Sequence, residues 1–161
     1  MLTVNRLKEL LNYDPETGIF TWKRGRGKGA KNSIAGSHNQ HGYLRIGIDG
    51  KNYFSHRLAY LYVNGSFPEN GIDHINGIKD DNRICNLRNA THLQNRQNIR
   101  KAVRGSKTGY IGVSWSTRFN KFRAGIQVEG KTINLGFYDD AKMAHDAYVK
   151  AKRIYHPFGT L

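Results

Sequence analysis

The chain has almost none of the residues that would staple it or anchor it in a membrane. One cysteine, Cys85, in 161 residues excludes an intrachain disulfide and cannot alone build a thiolate zinc site, so a reducing, cytoplasmic setting is the expectation. No apolar run approaches the ~20 residues needed to cross a bilayer. The first residues interrupt their apolar positions with Arg6, Lys8 and Glu9, which does not read as a secretory signal. Acidic side chains are also scarce, with 12 Asp and Glu against 26 Lys and Arg and a net charge of +14. That surplus favours a polyanionic partner, whether DNA, RNA or an anionic membrane surface. It is unevenly spread: residues 98–161 carry 12 basic and 4 acidic side chains, residues 1–97 carry 14 and 8.

What the chain does have is a concentrated polar pattern. Ile72-Asp73-His74-Ile75-Asn76-Gly77 is followed by Asp81-Asn82-Arg83, Asn86-Leu87-Arg88 and Thr91-His92-Leu93-Gln94-Asn95. A His beside a carboxylate, with amides at fixed distances, is the raw material of a one-metal phosphodiesterase site. A neutral, well-aimed imidazole can serve as general base, and a hard divalent cation takes oxygen ligands such as the Asp73 carboxylate and an Asn carbonyl. Asn86 follows His74 by twelve residues and Asn95 by twenty-one. Locally, Gly71 to Ile75 reads as a short strand, the Asn76-Gly77 and Lys79 to Asn82 stretches as turn chemistry, and Arg83 to Asn89 as the return strand. Thr91 with Gln94 three residues on is a capping box, so a helix is predicted from Thr91 with His92, Asn95 and Asn98 on one face. Taken singly, each of these residues is more commonly a turn, cap or surface residue. Their joint spacing is what points to a site.

At these residues, over roughly 43 to 98, the chain resembles the HNH or ββα-metal endonucleases, most closely the phage and intron-encoded homing branch. The resemblance implies that Asp73 is a metal ligand, His74 the general base, Asn86 the brace of the ββα loop that orients the base, and Asn95 the second metal ligand. It implies Mg²⁺, Mn²⁺ or a similar divalent cation as cofactor, double-stranded DNA as partner, and a host-cell cytoplasmic location if the chain is phage-encoded. His56-Arg57-Leu58-Ala59 is similar to the segment that precedes the motif, so His56, Arg57 and His92 are assigned supporting roles. The residues themselves give His56 a plainer part: after Ser55 it opens an apolar helical pattern of Leu58, Ala59, Leu61 and Tyr62, where capping or packing is expected.

Ahead of the motif, Thr3 caps a predicted short helix with Val4, Leu7, Leu10 and Leu11 inward. The turn Asp14 to Gly18 and a strand Ile19 to Trp22 complete an expected accessory cap. Lys23 to Lys31 reads as a basic loop able to track phosphates, and Gly42 to Phe54 as a hairpin turning at Asp49-Gly50.

Residues 99–107, where Arg100, Lys101, Arg104 and Lys107 surround Gly105-Ser106, lack apolar periodicity and read as a linker. Beyond them Tyr110 to Trp115, Lys121 to Val128 and Lys131 to Phe137 are predicted strands with a turn at Glu129-Gly130. Alternation puts Phe122, Ala124, Ile126 and Val128 on one face and Arg123, Gly125 and Gln127 on the other. A helix from Asp139 or Asp140 to Lys152 buries Ala144, Ala147, Tyr148 and Ala151. This region resembles an AP2 domain at Gly112-Val113, Lys121-Phe122-Arg123-Ala124, Leu135-Gly136-Phe137-Tyr138 and Ala144 to Tyr148. The resemblance implies a sheet laid on duplex DNA, with Arg118, Lys121, Arg123 and Gln127 as contacts. Base-reading Arg and Trp positions of plant members fall here on Ser114, Ser116, Gln127, Thr132 and Asn134, so the fold transfers better than the target sequence.

The combined expectation is an α+β chain: an HNH nuclease domain over 1–98 with its N-terminal accessory segment, a basic linker over 99–107, and an AP2-like domain over 108–161 made of a three-stranded antiparallel sheet and one helix. It hydrolyses DNA phosphodiesters, with no membrane and no obligate protein partner. Two other readings stand beside it: a DNA-binding regulator with a degenerate nuclease module, and a zinc-scaffolded binding protein.

Overall fold

The computed structural model describes residues 1–25 and 31–161, so most of the basic segment Lys23 to Lys31 lies outside the described residues. The chain divides into two compact units, Met1–Asn95 and Arg96–Leu161.

The first unit begins with α1 (Val4–Leu10), capped as predicted by the Thr3 hydroxyl, which accepts from the Arg6 N–H at 3.2 Å. Leu11 does not extend this helix. It opens β1 (Leu11–Tyr13), which pairs antiparallel with β2 (Phe20–Trp22) across the Asp14 to Gly18 turn. Next come β3 (Ser37–His38), β4 (Leu44–Ile48) and β5 (Lys51–Phe54), a three-stranded antiparallel sheet in the order β3-β4-β5. Asp49 and Gly50 at the β4–β5 turn both have positive φ, +48° and +77°, the mirror-image turn that matches strand twist. Then follow α2 (Ser55–Asn64), β6 (Gly71–His74), a 3-10 turn at Ile84–Asn86, β7 (Leu87–Ala90) and α3 (His92–Gln97).

One apolar core runs through this unit. Leu7, Leu11, Tyr13 and Phe20 are buried with Ile46, Ile48, Leu58, Ala59, Leu61 and Leu87. The N-terminal segment is therefore not an accessory cap. Its leucines and aromatics fill the space beneath α2, with Tyr13, Phe20 and Tyr62 rings in mutual contact at 4.7 to 6.1 Å. The return strand also starts later than the expected Arg83. Residues 84–86 coil into the 3-10 turn before the strand begins at Leu87, so Asp73 faces Arg88 and His74 faces Leu87.

The second unit carries β8 (Val113–Ser116), β9 (Lys121–Val128), β10 (Lys131–Tyr138) and α4 (Ala141–Tyr155), with sheet order β10-β9-β8, all antiparallel. β8 is shorter than predicted. Gly109 and Gly112 adopt positive φ, and a Cβ at Gly112 would collide with the Tyr148 ring, so the chain stays a turn until Val113. Ala124 and Ile126 face inward as the alternation required, while a bulge at Asn134 to Gly136 breaks the alternation of β10. Asp140 caps α4, accepting from the N–H groups of Lys142 and Met143 at 2.8 and 3.0 Å.

The expected linker is only partly one. Residues 96–100 are tied within the second unit: Arg96 donates to Gln127 Oε1 at 3.0 Å, the Phe158 N–H to Gln97 Oε1 at 3.2 Å, and the buried Lys152 ammonium to the Ile99 carbonyl. These are polar side-chain ties between residues far apart in the chain, which apolar periodicity cannot register. Among the described residues no helix is long and apolar enough to cross a membrane.

Candidate active site

Strands β6 and β7 and helix α3 build the site. Asp73 and His74 end β6, where consecutive side chains point to opposite faces of the pair. Both are buried, 7% and 6% exposed. Arg88, the cross-strand partner of Asp73, donates from Nε and Nη2 to Asp73 Oδ2, each at 2.8 Å. The capping box that starts α3 forms as predicted: the Thr91 N–H donates to Gln94 Oε1 at 2.8 Å and the Gln94 N–H to Thr91 Oγ1 at 3.2 Å. The helix is only six residues long. It brings Asn95 against β6, its Nδ2 at 3.2 Å from where a Cβ on Gly71 would stand. Gly71 and Asp73 share a strand face, so the Asn95 amide and the Asp73 carboxylate lie on the same side of β6. Asn98 falls beyond the helix end and accepts instead from the Thr160 hydroxyl at 2.6 Å.

The loop between β6 and β7 is closed by Asn86, which is 6% exposed. Its Oδ1 accepts from the Asn76 N–H at 2.9 Å, and its Nδ2 donates to Asn76 Oδ1 at 3.0 Å and to the Asp81 carbonyl at 2.8 Å. The backbone adds Ile75 N–H to the Asn86 carbonyl at 2.9 Å. Asp81 also accepts from Asn76 Nδ2 and from Arg83, and the Arg83 bond holds its carboxyl down at about 2.

A side-chain partner of His74 in this loop is Asn82. Nε2 of His74 and Oδ1 of Asn82 stand 3.2 Å apart. Around the imidazole are aromatic rings: His56 edge-on at 5.1 Å and Tyr43 at 6.1 Å between centroids, with Phe54 stacked on His56 at 5.2 Å. Burial lowers the His74 pKa against the raising effects of the Asn82 bond and of Asp73, Asp81 and Asp80. His56 is pushed down to about 3, by burial first and then by the His74 and Arg57 charges. Burial thus disfavours the charged form of both rings.

His56 thus packs into the site wall rather than capping its helix, whose N-cap is Phe54. Arg57 donates to the Asn70 carbonyl at 3.3 Å, pinning the entry to β6, and leans on Phe67. His92 is exposed at the start of α3. Sequence reasoning assigned no part to Arg88, Tyr43 or the Asn82 side chain. Arg88 follows from the strand register once the return strand is started at Leu87, whereas Asn82 carries no local signal, being one of several polar residues in a turn.

Oxygen donors from one carboxylate and one amide suit a hard cation that keeps waters or phosphate oxygens as its remaining ligands, as Mg²⁺ does. Among the described residues, no group of three or more His, Cys, Asp and Glu side chains is placed to hold a metal. Cys85 is exposed.

In the second unit, Arg118 and Gln127, expected to face DNA, are exposed, while Lys121 and Arg123 are half-buried. Arg118 lies over the Phe119 ring at 5.3 Å, Lys121 pairs with Asp139 at 3.1 Å, Arg123 Nε donates to Asn134 Oδ1 at 3.3 Å, and Gln127 accepts from Arg96. Phe119 and Phe137 are in ring contact at 4.4 Å, and Phe119 is half exposed.

Residues 53–97, from the end of β5 through α3, match the family model described as HNH endonuclease. No curated protein and no solved structure matches the chain. The match spans the end of β5, α2 and the whole β6-loop-β7-α3 assembly, so this segment is similar to an HNH endonuclease module, and nuclease activity is the activity that similarity points to.

Proposed function

We propose that the protein is a divalent-metal-dependent DNA endonuclease of the homing type, with His74 as general base, Asp73 and Asn95 as metal ligands, Asn86 as the brace of the catalytic loop, and the second unit as an AP2-like DNA reader. The observation that carries this reading is the buried His74 next to Asp73 in β6, with Asn95 on the carboxylate's side of the strand, inside the segment that matches the HNH model. His74 accepts a proton from water as the water oxygen forms its bond to phosphorus. The bond from phosphorus to the sugar oxygen breaks, and that oxygen leaves with the bonding pair and takes a proton from solvent. A bound divalent cation supplies charge stabilisation to the phosphate and the leaving oxygen. Asp73 and Asn95 offer it oxygen ligands, and Asn86 keeps the loop closed behind the base. The net charge of +14 supports a duplex DNA substrate, and Arg118, Lys121, Arg123 and Gln127 are the contacts assigned to the second unit.

One observation favours a second reading. The Arg88 guanidinium already occupies Asp73 Oδ2, as it would in a DNA-binding regulator whose nuclease module has lost its metal. Incubation of the full chain with random-sequence duplexes, with and without Mg²⁺, followed by mapping of the ends, separates the two. Metal-dependent cuts that vanish in His74→Ala support the nuclease. Tight DNA binding with no cut in Mg²⁺ or Mn²⁺ supports the regulator.

A further inference from the structure

Asn82 is 1% exposed, one of the most deeply buried polar residues in the first unit. Its amide can be oriented from its neighbours. Nδ2 donates to the Asp80 carbonyl at 3.2 Å, and a carbonyl only accepts, so the amide nitrogen faces Asp80 and the amide oxygen faces His74. An amide oxygen likewise only accepts. The hydrogen bond between the two side chains therefore uses a proton on His74 Nε2.

The backbone of Asn82 is held from the far end of the unit. Tyr13 Oη, at the end of β1, donates to the Asn82 carbonyl at 2.7 Å across a separation of 69 residues. The Ile84 N–H reaches the Pro15 carbonyl at 3.4 Å. Gly18, at φ +73°, lies so close that a Cβ would overlap the backbone of Asn82 and Arg83. The β1–β2 turn is thus moulded onto the segment that presents Asn82. Tyr13, Pro15 and Gly18 all lie before the residues that match the HNH model.

We propose that Asn82 is the positioning residue of His74, that it fixes the ring in the tautomer with the proton on Nε2, and that the N-terminal hairpin holds Asn82 in place. Asn82 touches neither substrate nor metal. Its effect passes through the orientation and tautomer of His74. The catalytic consequence rests on the nuclease reading; the tautomer assignment does not.

Proton–nitrogen correlation spectra of the full-length, ¹⁵N-labelled protein near pH 8 read the tautomer directly, with His74 assigned by its loss in His74→Ala. The expected pattern is a single tautomer protonated at Nε2. A ring protonated at Nδ1 overturns the proposal without any variant having to fold. In cleavage, Asn82→Leu keeps the shape and removes the acceptor, and should slow single-turnover cutting roughly 10- to 100-fold with DNA Kd and the Mg²⁺ midpoint unchanged. Asn82→Asp restores an acceptor and should recover most of the rate. Tyr13→Phe, which deletes one hydroxyl, should fall between wild type and Asn82→Leu. Wild-type rate in Asn82→Leu, or equal loss in the Leu and Asp variants, overturns the proposal. If the wild-type protein cuts no DNA at all, it is the nuclease reading that fails, and the spectra still decide whether Asn82 sets the His74 proton.

Discussion

Arg88 grips Asp73 across the β6–β7 pair, with both Nε and Nη2 at 2.8 Å from the same carboxylate oxygen. The guanidinium aims the carboxylate and also sets a positive charge beside the proposed cation site, where like charges repel. Arg88→Gln should lower the Mg²⁺ concentration giving half-maximal cleavage, while Asp73→Ala and Asn95→Ala should raise it. Metal titrations of the three variants check this. A higher midpoint in Arg88→Gln would mean that aiming outweighs repulsion.

His74→Ala should reduce cleavage by roughly 10²- to 10⁴-fold, the usual span for a general base. Its Kd for the same duplex should stay within about threefold of wild type, because the imidazole acts on water rather than holding DNA. Cleavage near the wild-type rate would remove His74 from the mechanism.

Burial lowers the His74 pKa from its ordinary 6.5, and the working form of a base is the neutral ring. The acid limb of the kcat/KM profile should therefore lie below pH 6.5, and a limb above it would contradict the assignment. His56 carries the same sign into stability. Its folded pKa of about 3 lies below the unfolded 6.5, so the unfolded chain binds the extra proton between those values. Its contribution is complete above pH 6.5 and is lost progressively as pH falls toward 3. Urea melts of wild type and His56→Leu from pH 7 to pH 4 test this: the wild type should lose more stability over that range.

Asn86→Ala removes three hydrogen bonds from the β6–β7 loop and leaves buried partners unmet. The expected cost is roughly 2–4 kcal/mol of stability, with slower cleavage and an unshifted Mg²⁺ midpoint, since no metal ligand is lost. A shifted midpoint would put Asn86 in contact with the cation.

A fragment of residues 96–161, cut where the second unit begins rather than after the basic segment, should fold and bind duplex DNA without cleaving it. Its log Kd should depend steeply on log salt, because Lys and Arg contacts release counterions. Arg118→Ala and Arg123→Ala should each flatten that slope by about one phosphate contact. A folded fragment without affinity at low salt would place DNA reading in the first unit.

Much of the local structure was legible because its cause is local. The Thr91–Gln94 capping box, the Asp49-Gly50 and Glu129-Gly130 turns, and the Thr3 cap depend on side chains within three residues of the backbone they serve. Strand β9 was placed to the residue because Lys121 and Val128 bracket an unbroken alternation. Where a distant partner intervened, the reading slipped. Gly112 defers β8 because the Tyr148 ring occupies the place of its Cβ, and the β10 bulge is an event of pairing that one strand cannot announce.

By itself the sequence determined which chemistry is available: an Asp-His pair, two amides at set spacings and a large surplus of positive charge, all of them properties of residue type and order. Tertiary structure alone decided who holds whom. Arg88 meets Asp73 through strand register, His56 joins the wall around His74, and Asn82 becomes the partner of the proposed base because Tyr13, 69 residues away, fastens its backbone. A turn asparagine in water and a buried asparagine that sets a histidine tautomer are the same residue; burial and a fixed acceptor geometry make the difference, and both come from parts of the chain far from the motif.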